Sequence, residues 1–118
     1  MNDCIFCKIA NKEIPSNIVF ENEYVVAFED LAPVAPVHIL IVPKKHIASA
    51  MELGVNNEED LDYIKEVFKA AKEIAKLQNV DASGFRIINN CGEDAGQTVK
   101  HIHFHLIGGA NLGELIAK

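Results

Sequence analysis

Val99-Lys-His-Ile-His-Phe-His-Leu-Ile107 is the stretch whose reading decides the fold, because His101, His103 and His105 alternate strictly with Ile102, Phe104 and Leu106. In an extended strand successive side chains point to opposite faces, so the spacing places three imidazoles on one face and buries the apolar residues on the other. Such a row offers nucleophiles and acid/base groups side by side. The chain has five histidines in all, and the other two, His38 and His46, fall together in one short segment. A tag remnant is excluded by the alternation, since tags run as contiguous histidines without an apolar partner face. Imidazole is also a zinc ligand, but three neighbours on one straight strand fan out poorly around a small ion.

Outward from this stretch, further strand signals lie at Ile18 to Phe20, Tyr24 to Glu29, Val37 to Val42 and Gly84 to Asn89, with turn residues between most of them. The clearest helix runs from Glu58 to Gln78. Leu61, Ile64, Phe68, Ala71, Ala75 and Gln78 follow helical spacing, Asn57 is placed to cap the start, and acidic and basic residues gather at the ends that the helix dipole favours. Shorter helical turns are expected at Cys4 to Ala10 and in Lys44 to Met51. About five strands and one long helix predict an α+β domain, an antiparallel sheet with helical cover on one face.

At 118 residues and 49% hydrophobic content the chain has room for one domain, residues 1–118, with a real core. No apolar run reaches the roughly 18 residues of a membrane span, and the start, Met-Asn-Asp-Cys, lacks the pattern of a signal peptide, so the expected compartment is the cytoplasm. A formal net charge of -6 argues against a nucleic-acid polymer as partner, because gripping a phosphate backbone requires clustered Lys and Arg. A mononucleotide remains compatible, since backbone N–H groups and a few polar side chains can hold its phosphate. Cys91 stands alone and reads as a small hydrophobe, whereas Cys4-x2-Cys7 could be a redox couple, a buried pair or half of a metal site.

The triad stretch followed by Gly108-Gly109, together with Asp3-Cys-Ile-Phe-Cys-Lys-Ile9, Glu13-Ile-Pro15, Ala35-Pro-Val-His-Ile-Leu-Ile-Val-Pro-Lys-Lys-His46 and Asn89-Asn-Cys-Gly-Glu-Asp-Ala-Gly-Gln-Thr98, resembles the histidine triad superfamily over nearly the whole chain. The branch it most resembles is the Hint type of nucleotide-binding proteins. The resemblance implies an antiparallel sheet of about five strands with two principal helices, and a homodimer in which long helices and an edge strand meet. It implies a hydrolase that cleaves the P–N bond of purine nucleoside phosphoramidates, of adenosine 5'-monophosphoramidase type, through a nucleotidyl-histidine intermediate at His103. The superfamily also implies alternatives: dinucleoside polyphosphate hydrolysis, nucleotidyl transfer, or nucleotide sensing without turnover.

Residue by residue, the resemblance assigns His103 as nucleophile, His105 to phosphate contact or proton movement, and His38 as the additional histidine brought beside the triad. Asp30 corresponds to the acid that accepts from the ribose hydroxyls; its alternative role is capping a turn before Pro33. Asn90, Gln97 and Thr98 correspond to the phosphate loop, and Phe6 and Phe28 to apolar walls for the base. Cys4, Cys7, His46 and His101 match the structural zinc set found in a subset of the superfamily, which would make His101 a ligand rather than a free acid/base group. The tail Asn111 to Lys118 departs from relatives that carry a tryptophan there, which puts leaving-group preference in doubt.

Overall fold

The computed structural model describes residues 3–116. Met1, Asn2, Ala117 and Lys118, which belong to the expected 1–118 domain and to the ends read above, lie outside the described residues. Strands β1 (Ile18–Glu21), β2 (Val25–Glu29), β3 (Val37–Pro43), β4 (Phe85–Ile88) and β5 (Phe104–Gly108) form one sheet in the order β1-β2-β3-β5-β4, with every neighbouring pair antiparallel. Helix α1 (Ile5–Ala10) precedes the sheet and α2 (Asp60–Leu77) connects β3 to β4. The fold is α+β, as expected.

Alternation along the central strands sorts side chains into two layers. Val25, Ala27, Ile39, Ile41, Phe104 and Leu106 face α2, where Val67, Ala70, Ala71, Ile74 and Ala75 complete the main core. Val26, Phe28, Leu40 and Val42 point the other way and pack with Phe6 and Ile9 of α1. His103 and His105 share the parity opposite to Phe104 and Leu106, and so lie on the α1 side. Both faces of β2 and β3 are therefore buried, which explains their near-continuous apolar runs.

Two boundaries differ from the sequence expectation by more than one residue. The expected strand Val99 to Ile107 is sheet only from Phe104 onward, because pairing with β3 ends at Ile41↔Phe104. Upstream the chain diverges toward the segment after Pro43, where the Ile102 N–H donates to the Ile47 carbonyl at 2.6 Å. The long helix begins at Asp60 rather than Glu58. Asn57 does act as a cap, but of the preceding turn: its Oδ1 accepts from the Glu59 N–H at 2.9 Å. The Lys44 to Met51 signal resolves into a 3-10 turn at Ala50–Glu52.

The α2 layer generates a stability prediction. Ile74 has no solvent exposure, so Ile74→Ala removes transfer energy and leaves a cavity, costing about 2–5 kcal/mol. Exposed Lys72→Ala on the same helix should shift stability by no more than about 0.5 kcal/mol. Urea unfolding of both variants checks this, and similar costs for the two would contradict the layer assignment.

Candidate active site

His103 sits one residue ahead of β5 and is 6% exposed. Its Nδ1–H donates to the carbonyl of His101 at 2.8 Å. A carbonyl can only accept, so the proton is fixed on Nδ1 and Nε2 keeps its lone pair. The His103 backbone is held as well, since the Asn89 side-chain amide donates to the His103 carbonyl at 2.9 Å. Phe6 packs edge-on against the ring, with centroids 4.9 Å apart.

The β3–β5 register pairs His38 with Ile107 and Leu40 with His105, which makes His38 and His105 diagonal neighbours on one face. The Val34 N–H donates to His38 Nδ1 at 3.2 Å, so His38 carries its proton on Nε2. His38 Nε2 lies 2.9 Å from His105 Nδ1 and 3.4 Å from Asp30 Oδ2. His105 Nδ1 therefore accepts, and its own proton sits on Nε2. Burial, helped by the neighbouring His103 and His38 and opposed by Asp30, pushes the His105 pKa down to about 4. The site thus sets a bare ring nitrogen on His103 beside an uncharged N–H donor on His105, their ring centroids 5.3 Å apart.

The other expected residues separate into groups. Asp30 lies just past β2 with one oxygen beside His38, and its other oxygen accepts from the Ala32 N–H at 2.8 Å, the turn before Pro33. Asn90 lines a recess of about 230 Å³ with Val34, His38, Ile88, His105 and Ile107, while its side-chain amide donates to the Ala95 carbonyl at 2.8 Å. Gln97 is turned inward: its amide donates to the Ala48 and Val99 carbonyls at 2.8 and 3.0 Å, and its oxygen accepts from the Gly92 N–H. Gln97 therefore staples the loop, whose ends at Gly92 and Gly96 have φ of 88° and 83° that suit glycine. Thr98 is exposed and borders a separate cleft beside Cys4 and His46. Phe6 and Phe28 are 7% and 4% exposed and belong to the α1-side core.

Sequence reasoning gave no role to Asn89, Val34 or the His101 carbonyl. Each acts through β-register or through a main-chain group, and residue type signals neither. A larger recess of about 690 Å³ lies between Asn79, Phe85 and Leu112, but no histidine lines it; the histidine chemistry therefore locates the candidate site at the smaller one.

Cys4, Cys7, His46 and His101 form a second cluster whose donor atoms lie within 4.8 Å of one another. The His46 and His101 Nδ1 atoms are 3.2 Å apart, and the Cys4 and Cys7 sulfurs lie 3.3 and 3.4 Å from His101 Nδ1. Bond lengths of about 2.0–2.1 Å to nitrogen and 2.3 Å to sulfur give tetrahedral edges of about 3.3 and 3.6 Å, so the spacing suits a zinc-sized ion. His101 Nε2–H donates to the Pro43 carbonyl at 2.8 Å, which leaves Nδ1 as the ligand atom. Burial lowers the His101 pKa to about 4 and so keeps that lone pair available. The cluster could hold a metal ion.

Residues 3–115 match the family model described as "Scavenger mRNA decapping enzyme C-term binding". The chain is 39% identical to the purine nucleoside phosphoramidase of Escherichia coli K12 over 115 residues, covering 98% of this chain and 94% of that protein. A histidine triad protein from Clostridium difficile superposes with a TM-score of 0.90 at 49% identity, covering 97% of this chain and 96% of the other. The chain belongs to the histidine triad superfamily. A HIT family hydrolase from Clostridium thermocellum is also similar, with a TM-score of 0.92, 44% identity and 99% of each chain covered. Of the three alternating histidines, His101 faces the cysteines and His105 lines the recess with His38, while His103 packs beside His105.

The buried state of His105 gives a pH prediction. Its folded pKa of about 4 lies below the value of about 6.5 for an unfolded ring, so its contribution to stability is complete above about pH 6.5 and is lost as pH falls toward 4. Ring NMR should show His105 uncharged at pH 5.5, and a midpoint near 6.5 would contradict the burial described.

Proposed function

We propose that this chain is a nucleotide-binding hydrolase that cleaves the P–N bond of purine nucleoside phosphoramidates. The observation that carries the reading is the bare Nε2 of buried His103 beside the Nε2–H of His105. In the first step His103 Nε2 bonds to the α-phosphorus while the P–N bond breaks, and the amine leaves with a proton drawn from solvent. In the second, water attacks the same phosphorus with loss of a proton, the His–P bond breaks, and the nucleoside monophosphate departs. Because His105 stays uncharged, it serves as a hydrogen-bond donor to a phosphoryl oxygen, where charge develops, rather than as a strong acid. His38 sets the tautomer of His105 and thereby aims that donor.

Under the same reading Asp30, whose side chain is 22% exposed, turns its remaining acceptor capacity to the ribose hydroxyls. Asn90 offers a donor at the phosphate loop, and Gln97 fixes that loop from within; Phe6 and Phe28 stay in the α1-side core. The purine preference comes from the phosphoramidase relative. The Cys2His2 donor set fits zinc as a structural ion, which would tie α1 to the segment before β5 without an open coordination position. Exposed Leu61 and Phe68 on α2, 51% and 52% exposed, together with edge strand β4, supply the apolar surface for a homodimer. No helix among the described residues is long and apolar enough to cross a membrane.

Steady-state rates on an adenosine phosphoramidate, a diadenosine polyphosphate and a nucleotide sugar test the substrate class, with the phosphoramidate expected to give the highest kcat/KM. His103→Ala should lower kcat by several orders of magnitude, about 10³-fold or more, while the Kd for AMP changes only a few-fold. Near-normal turnover in that variant rejects the nucleophile, and preference for the polyphosphate moves the chain to a different activity within the superfamily.

A further inference from the structure

The cysteine–histidine cluster and the nucleophile are joined by a single residue. His101 gives its ring to the cluster through Nδ1 and anchors the other ring nitrogen on the Pro43 carbonyl at 2.8 Å. Its main-chain carbonyl is the acceptor for His103 Nδ1–H, also at 2.8 Å. A ring held at both nitrogens restricts the rotation of its own backbone and fixes where that carbonyl points.

A second connection runs through α1. Phe6 lies between Cys4 and Cys7 in sequence, and its ring meets His103 edge-on at 4.9 Å, His101 at 6.0 Å and Phe28 at 5.8 Å. Six residues are too few for a helix to persist on its own. The Cys4 sulfur accepts from the Cys7 N–H at the start of this helix, so the two cysteines that face the cluster also frame the turn that presents Phe6.

We infer that the Cys4/Cys7/His46/His101 cluster is a positioning device for the nucleophile: when metal is bound, it holds the His101 carbonyl and the Phe6 ring against His103 and so keeps the proton on Nδ1. A free imidazole prefers its proton on Nε2, the nitrogen that must attack. Without a cation, two thiols and two imidazoles crowded within 4.8 Å must spread apart or share protons, and the His101 carbonyl moves with its ring. His103 then reverts to the tautomer that covers its lone pair. The kinetic consequence rests on the reading of His103 as nucleophile; the tautomer itself does not.

The test compares zinc-loaded protein, chelator-stripped protein, and zinc-loaded Phe6→Leu. Long-range ¹H–¹⁵N NMR reads the His103 tautomer, and kcat and KM are measured on an adenosine phosphoramidate. The loaded protein should show pure Nδ1–H. The stripped protein should gain Nε2–H and lose about tenfold or more in kcat, with KM within about twofold and both effects reversed by zinc, as expected for misaimed chemistry. Phe6→Leu should keep its zinc and lower kcat several-fold at unchanged KM. Pure Nδ1–H in stripped protein whose sheet amide signals are intact overturns the inference. If stripping unfolds the sheet, Phe6→Leu decides: raised KM at unchanged kcat marks Phe6 as a base wall and overturns the inference. If no form turns over the phosphoramidate, the functional reading falls while the tautomer comparison still decides this one.

Discussion

A hydrogen bond from His103 Nδ1–H to the His101 carbonyl, 2.8 Å long, governs what the histidine row can do. It assigns one ring nitrogen to structure and leaves the other to chemistry. The neighbouring rings follow the same logic with different partners: Pro43 fixes His101, and Val34 fixes His38, which in turn fixes His105. Four imidazoles of one chemical type thereby acquire different duties, each set by the group facing its second nitrogen.

The sheet makes this arrangement possible. Strand β5 buries Phe104 and Leu106 beneath α2 with no more than 7% exposure, and that burial locks the parity that puts His103 and His105 on the opposite side. A one-residue slip would exchange imidazoles for apolar side chains on both faces, so the same packing energy that stabilises the core also maintains the site. Divergence from β3 ahead of Phe104 has a use as well. It lets His101 swing to the cysteines of α1 while its carbonyl stays within reach of His103.

Much of this was legible in the chain. Strict alternation from His101 to Leu106 foretold both faces, helical spacing foretold α2, and the resemblance gathered Cys4, Cys7, His46 and His101 across 97 residues of sequence separation, where the structure brings them together. What escaped depends on main-chain groups and register. No property of Ile41 or Phe104 announces that pairing stops there, so the alternation alone overstates the length of the triad strand. Nothing in the residue type of Gln97 says that its amide turns to Ala48 and Val99 rather than outward. Asn89 reads only as the last residue of the strand Gly84 to Asn89, yet the β4–β5 register delivers its amide to the His103 carbonyl.

The most direct measurement is rapid base quench of the protein with an adenosine phosphoramidate, followed by intact mass and peptide mapping under conditions that preserve phosphorus–nitrogen bonds. The account predicts a transient adenylyl adduct carried by His103 alone, formed as fast as the amine is released and lost at the rate AMP appears. Amine release at full rate with no adduct at any time, or an adduct carried by His105, would contradict it.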